Sequence, residues 1–130
     1  MNLPPSEDSR IRVLIADDDP AFLGSLEQLI GQQPELAVVG VAGDGLETIE
    51  LVERLGPDAV VLDLHMPLLD GVSATARLRR DHPSLCLIAL TGDAAPELHS
   101  AVRDAGADEV LLKTELVEAL LDRLTTARAS

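Results

Sequence analysis

Short apolar runs alternate with segments of helical periodicity along this chain of 130 residues. The apolar runs are rich in β-branched and aliphatic residues, and they predict strands at 11–16, 36–40, 59–62, 85–90 and 110–112. Apolar residues spaced three and four apart predict helices between and after them, at about 21–31, 46–55, 72–81, 96–105 and 116–124. Because the strands are apolar on both sides, we expect both faces of their sheet to be covered.

This alternation predicts an α/β domain in which helices cover both faces of a parallel sheet. Right-handed crossovers leave few topologies for such a chain. The leading one is the flavodoxin-like (βα)5 doubly wound fold, a five-stranded parallel sheet in the order 2-1-3-4-5. We expect residues 11–127 to form this single domain, after a disordered leader at 1–10 and before a short tail at 128–130.

The charge balance argues against direct binding of nucleic acid. Lys and Arg total 10 against 23 Asp and Glu, which gives a formal net charge of −13. Such a surface should repel the phosphates on which nucleic-acid binding depends. The apolar runs are far shorter than the roughly 20 residues of a membrane-spanning helix, and residues 1–10 do not resemble a signal peptide. We therefore expect a cytoplasmic protein that does not enter a membrane.

Polar residues stand directly after four of the predicted strands. Asp17 and Asp18 follow the first strand, and Asp63 follows the third. Thr91 follows the fourth strand, and Lys113 follows the fifth. In an open parallel sheet, ligands bind beyond the carboxyl ends of the strands. We therefore expect these side chains to share one rim of the sheet.

Carboxylates that are crowded at one rim repel one another and need a cation. Mg²⁺ suits this place because it is usually held by a few carboxylates, waters and a phosphate. The ion would neutralise an incoming phosphoryl group, and a carboxylate can be the nucleophile that accepts it. Thr91 and Lys113 would then bind the phosphoryl oxygens. Asp17 and Asp18 could instead cap the first helix, a role that we assign to Asp19 because it precedes Pro20.

The motifs at these strand ends resemble those of response-regulator receiver domains. Val-Leu-Ile-Ala-Asp-Asp at 13–18 is similar to the acidic-pair motif of that family. Asp-Leu-His-Met-Pro, followed by Asp-Gly, at 63–71 resembles its phosphorylation-site signature. Leu-Thr-Gly at 90–92 and Leu-Leu-Lys at 111–113 match the remaining two motifs in order and spacing. The resemblance covers about residues 11–127.

The resemblance implies a phosphoacceptor and a magnesium site. Asp63 would accept the phosphoryl group. Mg²⁺ would be held by Asp63, directly by Asp18, through water by Asp17, and by the backbone carbonyl of His65. The implied donor is a phosphohistidine on a sensor histidine kinase or a phosphotransfer protein. The chain would then be a signalling switch that loses its phosphate partly by self-catalysis, and not an enzyme with a free substrate.

The resemblance also implies how the switch would work. Thr91 would bond a phosphoryl oxygen and move inward, and Lys113 would pair with Asp63 before phosphorylation and with the phosphoryl group afterwards. Receivers often carry an aromatic residue three positions before this lysine, where this chain has Val110. Transmission would therefore depend on Thr91, the loop after it and the fourth helix. We expect the surface from the fourth helix to the final helix to bind a downstream partner or to form a homodimer.

Three further interpretations remain open at this point. Residues 36–79 look much like the receivers of LuxR-type DNA-binding transcription regulators, so the chain could be the excised receiver of such a protein. A Mg²⁺-dependent aspartyl phosphohydrolase is a remote alternative, because residues 17–19 contain an Asp-x-Asp spacing and residues 43–45 faintly echo another motif of haloacid-dehalogenase-like enzymes. The chain could also be an interaction module that never needs phosphate.

Overall fold

The computed structural model describes residues 10–113 and 122–124. Its elements are β1 (Ile11–Ala16), α1 (Pro20–Gly31), β2 (Leu36–Ala42), α2 (Gly45–Leu55), β3 (Ala59–Asp63), α3 (Gly71–Asp81), β4 (Cys86–Thr91), α4 (Pro96–Ala105) and β5 (Glu109–Leu112). Residues 122–124 are also helical. The leader up to residue 9, most of the predicted final helix and the tail lie outside the described residues. Within the described part, the helices are too short or too polar to cross a membrane.

The sheet has the predicted topology. Its strands lie in the order β2-β1-β3-β4-β5, and every neighbouring pair is parallel. The order places β3 between β1 and β4, so the carboxyl ends of these three strands lie side by side. The α/β doubly wound fold that the sequence predicts is therefore confirmed.

Aliphatic residues cover both faces of the sheet, as the uniformly apolar strands require. On one face, Ile30 of α1 and Leu124 are fully buried against the strands. On the other face, Val52 of α2 and Leu78 of α3 occupy a second cluster, and Val102 of α4 occupies a third. These clusters fix the positions of the central strands, and with them the side chains at the strand ends.

The buried face of α3 includes a polar residue. The buried side chains of this helix are those of Ala74, Leu78 and Thr75. The burial of Thr75 is not evident from the sequence, because a threonine does not look apolar. Its hydroxyl donates to a backbone carbonyl of the same helix at 2.7 Å, so Thr75 can be buried without an unpaired polar group.

Arg79 makes polar contacts at the end of α3. Its Nε donates to the carbonyl of Gly106 at 2.9 Å, and its Nη2 lies 2.8 Å from Oδ2 of Asp108. The same carboxylate oxygen accepts a hydrogen bond from the backbone N–H of Leu87 at 2.8 Å. The guanidinium therefore ties α3 to the connection between α4 and β5 and to the start of β4.

Two glycines allow close backbone contacts with the loop between β3 and α3. The N–H of Gly45 donates to the carbonyl of Pro67 at 3.5 Å, and a Cβ on Gly45 would overlap the carbonyl oxygen of Leu69. A Cβ on Gly71 would lie 2.5 Å from the Cα of Leu64. Because both contacts are with backbone atoms, a larger residue could be accommodated only by moving the loop that follows Asp63.

Replacing Gly45 with alanine should lower the free energy of unfolding by about 1–3 kcal/mol, because the added methyl group forces a backbone shift. The matched control is Gly24→Ala in α1, where, among the described residues and apart from the adjacent residues and the backbone of its own helix, no heavy atom lies within 4 Å of the added Cβ. Alanine suits a helix interior better than glycine, so this change should stabilise by about 0.5–1 kcal/mol. Urea denaturation measures both, and equal effects of the two variants would contradict the contact with the loop.

Candidate functional site

The structure brings the acidic residues that follow β1 and β3 to one rim of the sheet. Asp17 and Asp18 come directly after β1, and Asp63 is the last residue of β3. Each offers a carboxylate oxygen, and these three oxygens all lie within 4.8 Å of one another. Lys113, directly after β5, reaches the same rim with its ammonium group. The sequence predicted this grouping from the strand ends alone.

The three consecutive aspartates after β1 have different roles. Asp17 is almost fully buried, and its Oδ1 accepts a hydrogen bond from the backbone N–H of Asp19 at 2.9 Å. Asp18 is exposed at the rim. Asp19 caps α1, since its side chain accepts from the N–H of Ala21 at 3.0 Å and Pro20 begins the helix. The expected separation of a capping residue from the two site carboxylates is therefore observed.

Lys113 bonds more closely to Asp17 than to Asp63. Its Nζ lies 2.6 Å from Oδ2 of Asp17 and 3.6 Å from Oδ1 of Asp63. The resemblance implies that Lys113 pairs with Asp63 before phosphorylation. In the structure, Asp17 is the nearer partner of Lys113. Burial alone would lower the pKa of Lys113, but the hydrogen bond with Asp17 and the charge of Asp63 outweigh it and raise that pKa above its usual value.

Asp63 is a carboxylate whose ionised form the fold disfavours. Only 3% of its surface is exposed. Burial raises the pKa of Asp63, and the negative charge of Asp17 raises it further. Lys113 and a hydrogen bond from the backbone of His65 act in the opposite direction without cancelling the rise. An additional positive charge at this rim would therefore stabilise the ionised carboxylate.

The donor set fits a hard divalent cation. Its members are carboxylate oxygens, the ligand type that Mg²⁺ takes, and two of the three carboxylates are buried while Asp18 faces solvent. An exposed carboxylate leaves one side of the site open to waters and to a phosphoryl group. His65, two residues after Asp63, has an exposed side chain. Its carbonyl remains a predicted ligand.

Thr91 presents a hydroxyl beside this rim. The residue is fully buried at the end of β4, and its Oγ1 accepts a hydrogen bond from the backbone N–H of Asp93 at 2.9 Å. A hydroxyl that accepts this bond still has its own hydrogen to donate. Asp93 does not cap α4. Its Oδ1 accepts from the N–H of Ala95, and Ala95 is itself the N-cap, without a side-chain hydrogen bond.

Phe22 of α1 is a further residue at this site, and no motif in the sequence marks it. The centroid of its ring lies 4.4 Å from Nζ of Lys113. The spacing could have indicated this, because Phe22 lies four residues after Asp18, in the first turn of a helix that begins at the rim. An apolar residue so close to the helix start can face the site as well as the core.

The expected output surface is described only in part. Val110 is buried with Ala89 and Val102, so an aliphatic cluster occupies the place where an aromatic switch residue would stand. Leu98 of α4 packs against this cluster. Most of the predicted final helix lies outside the described residues, and the homodimer stays a prediction.

Replacing Asp63 with asparagine should raise the free energy of unfolding at pH 7 in Mg²⁺-free buffer, because the fold disfavours the ionised carboxylate. A carboxyl group whose pKa is raised on folding stabilises the folded state below about pH 4, its ordinary pKa. That contribution is lost as the pH rises through the higher folded-state pKa. The gain from Asp63→Asn should therefore vanish near pH 4. Urea denaturation at both pH values tests this, and an asparagine variant less stable than the wild type at pH 7 would contradict it.

Known proteins share both the sequence pattern and the fold. The family model described as the response regulator receiver domain matches residues 13–125. The nitrate/nitrite response regulator protein NarP of Escherichia coli (strain K12) is 38% identical over 119 residues, which cover 91% of this chain and 55% of NarP. A protein-glutamate methylesterase/protein-glutamine glutaminase of Saccharophagus degradans is 38% identical over 125 residues, which cover 85% of this chain and 34% of that protein.

A solved structure supports the same assignment. The signal receiver domain of NarL from Mycobacterium tuberculosis superposes with a TM-score of 0.82 at 30% identity, covering 90% of this chain and 98% of that domain. The chain thus matches a whole receiver domain but spans about half, or less, of the curated relatives. These matches favour a phosphoacceptor receiver over an aspartyl phosphohydrolase. The chain belongs to the response-regulator receiver domains, the phosphoacceptor domains of two-component signalling.

Proposed function

We propose that Asp63 is the phosphoacceptor of this receiver domain and that Mg²⁺ supports the transfer. The observation that carries the proposal is the meeting of three carboxylate oxygens within 4.8 Å, with the ammonium of Lys113 between Asp17 and Asp63. Asp17 and Asp18, together with Asp63 and the carbonyl of His65, would hold the ion. When bound, it supplies positive charge that neutralises the phosphoryl group.

The contacts of the carboxylates favour Asp63 as the nucleophile. Both oxygens of Asp17 already accept hydrogen bonds, one from Asp19 and one from Lys113. Asp63 stands at the end of β3, between the carboxylates after β1 and the hydroxyl of Thr91 at the end of β4. A phosphoryl group on Asp63 would therefore have anionic oxygens within reach of groups from both neighbouring strands.

The transfer exchanges one phosphorus bond for another. An oxygen of Asp63 attacks the phosphorus of a phosphohistidine on a sensor histidine kinase or phosphotransfer protein, and the bond from phosphorus to the histidine nitrogen breaks. The product is an acyl phosphate on Asp63. Lys113 and Thr91 donate hydrogen bonds to its oxygens, since the ammonium is charged and the hydroxyl hydrogen is free to turn toward them.

These new contacts supply the energy for a switch. Each charge-assisted hydrogen bond contributes roughly 1.5–3 kcal/mol, and two of them suffice to turn a minor conformation into the major one. A movement of Thr91 would disturb the bond from the N–H of Asp93 and then the start of α4, which has no side-chain cap. The surface from α4 to the final helix would carry the change to a partner or to a second copy of the chain.

The same proposal covers the extent of the domain, its cellular location and the way it acts. Residues 11–127 would form one cytoplasmic receiver domain that acts through its partners and not as an enzyme on a free substrate. The alignment with the methylesterase covers only 34% of that protein's length, so the methylesterase activity is not proposed for this chain. The net charge of −13 supports a domain that does not itself bind nucleic acid.

Asp63→Asn should abolish labelling by acetyl phosphate, because the amide cannot act as the nucleophile. The matched control is Asp19→Asn, since Asp19 caps α1 at the same rim and asparagine caps equally well. Intact-mass analysis with and without Mg²⁺ should find one phosphoryl adduct on the wild type and on the control, and only with the ion. A phosphoryl adduct on the Asp63 variant would move the acceptor to another residue.

Asp18→Ala should weaken Mg²⁺ binding by about tenfold or more, because it removes a charged oxygen ligand from an exposed side of the site. Labelling by acetyl phosphate should slow in parallel. Isothermal titration calorimetry measures the affinity, and excess Mg²⁺ should restore much of the labelling rate. Unchanged affinity would show that the ion is held without Asp18.

A further inference from the structure

Phe22 is the single aromatic residue of the chain, and it lies at the phosphoacceptor site. It stands on α1 at the start of a stripe that continues with Leu26 and Ile30, four and eight residues further along. Leu26 and Ile30 are buried, with exposed fractions of 4% and 0%, whereas Phe22 is only partly buried. Packing against the core therefore uses only part of this side chain.

The ammonium of Lys113 lies against the ring. Its Nζ is 4.4 Å from the centroid of Phe22, 2.6 Å from Oδ2 of Asp17 and 3.6 Å from Oδ1 of Asp63. The distance to the centroid is well within the range for a cation–π interaction, in which the negative face of the ring attracts the positive charge. Two carboxylates and one aromatic face thus surround a single ammonium group.

The side chain of Lys113 needs contacts that hold its ammonium group in one position. Its ammonium is a compact charge on a flexible four-carbon stem, and 24% of the side chain of Lys113 is exposed to solvent. The carboxylates attract it from the rim, but they also have to make room for a cation and a phosphoryl group. An aromatic face neither binds a metal nor competes for the phosphoryl oxygens. It can therefore stay in contact with the ammonium of Lys113 while the other partners of that ammonium change.

We propose that Phe22 is a positioning residue for Lys113, and that the face of its ring holds the ammonium where it can donate to the phosphoryl group. The inference rests on the proposed function, since it assigns Lys113 to the phosphoryl oxygens. Asp19 contributes indirectly. Its cap fixes the first turn of α1 relative to Asp17, and so sets the ring at the same rim as the carboxylates.

The competing role for Phe22 is only to fill space, and matched variants separate the two roles. Phe22→Leu keeps an apolar side chain but removes the aromatic face, and Phe22→Trp keeps a face that attracts cations more strongly. Leu29→Ala is the control, because Leu29 is partly buried against the same core cluster and lies about 10 Å further along the helix axis. Circular dichroism verifies that each variant is folded.

The first measurement is the affinity for beryllofluoride, a phosphoryl mimic, in the presence of Mg²⁺. Phe22→Leu should weaken binding by about threefold to tenfold, which corresponds to the loss of one cation–π contact. Phe22→Trp should bind at least as well as the wild type, and Leu29→Ala should stay within about twofold of it. An affinity of the Phe22→Leu variant within about twofold of wild type would overturn the proposal.

The second measurement does not depend on phosphoryl chemistry. Urea unfolding of the Phe22→Leu variant, the Lys113→Met variant and the double variant gives a double-mutant cycle. The two changes should be non-additive, with a coupling of about threefold or more in the unfolding equilibrium constant. Additive effects would overturn the contact between Phe22 and Lys113. A wild-type protein that binds no beryllofluoride would overturn the proposed function, and the cycle would still decide whether the ring holds the ammonium.

Discussion

The repulsion among the carboxylates of Asp17, Asp18 and Asp63 is the constraint around which the site is organised. Parallel pairing of β1 with β3 brings these groups together, and burial of two of them removes most of the water that would screen their charges. The ammonium of Lys113 and the backbone N–H groups of Asp19 and His65 offset part of this repulsion through an ion pair and hydrogen bonds. Burial and, after it, the charge of Asp17 still raise the pKa of Asp63, so a cation bound at this rim would stabilise its ionised form.

The rest of the molecule holds the carboxylates in place against this repulsion. The buried core on both faces of the sheet is aliphatic, and it fixes the central strands without any contribution from the site carboxylates. The loop after Asp63 packs its backbone closely against Gly45 and Gly71, the first residues of α2 and α3, and these contacts fix its position relative to the two helices. The strands thus combine two parts: their apolar residues pack in the core, and the polar residues at or after the carboxyl ends of β1, β3, β4 and β5 form the candidate site.

The sequence predicted the features that depend on chain order and missed those that depend on distance in space. Uniformly apolar strands indicated the parallel sheet, and the residues after them indicated the site, because both follow from topology. The burial of Thr75 in α3 is not evident from the sequence, because its hydroxyl is satisfied within its own helix. Spacing could not show that Lys113 lies nearer to Asp17 than to Asp63, because that difference depends on how the side chains approach one another in space.

A crystal structure of the protein with Mg²⁺ and beryllofluoride would show which carboxylate accepts the phosphoryl group. We expect beryllium bonded to a carboxylate oxygen of Asp63, the ion beside Asp17 and Asp18, and fluorine atoms that accept hydrogen bonds from Lys113 and Thr91. Beryllofluoride on a different carboxylate, or a Lys113 ammonium that stays on Asp17 without touching a fluorine atom, would contradict this expectation.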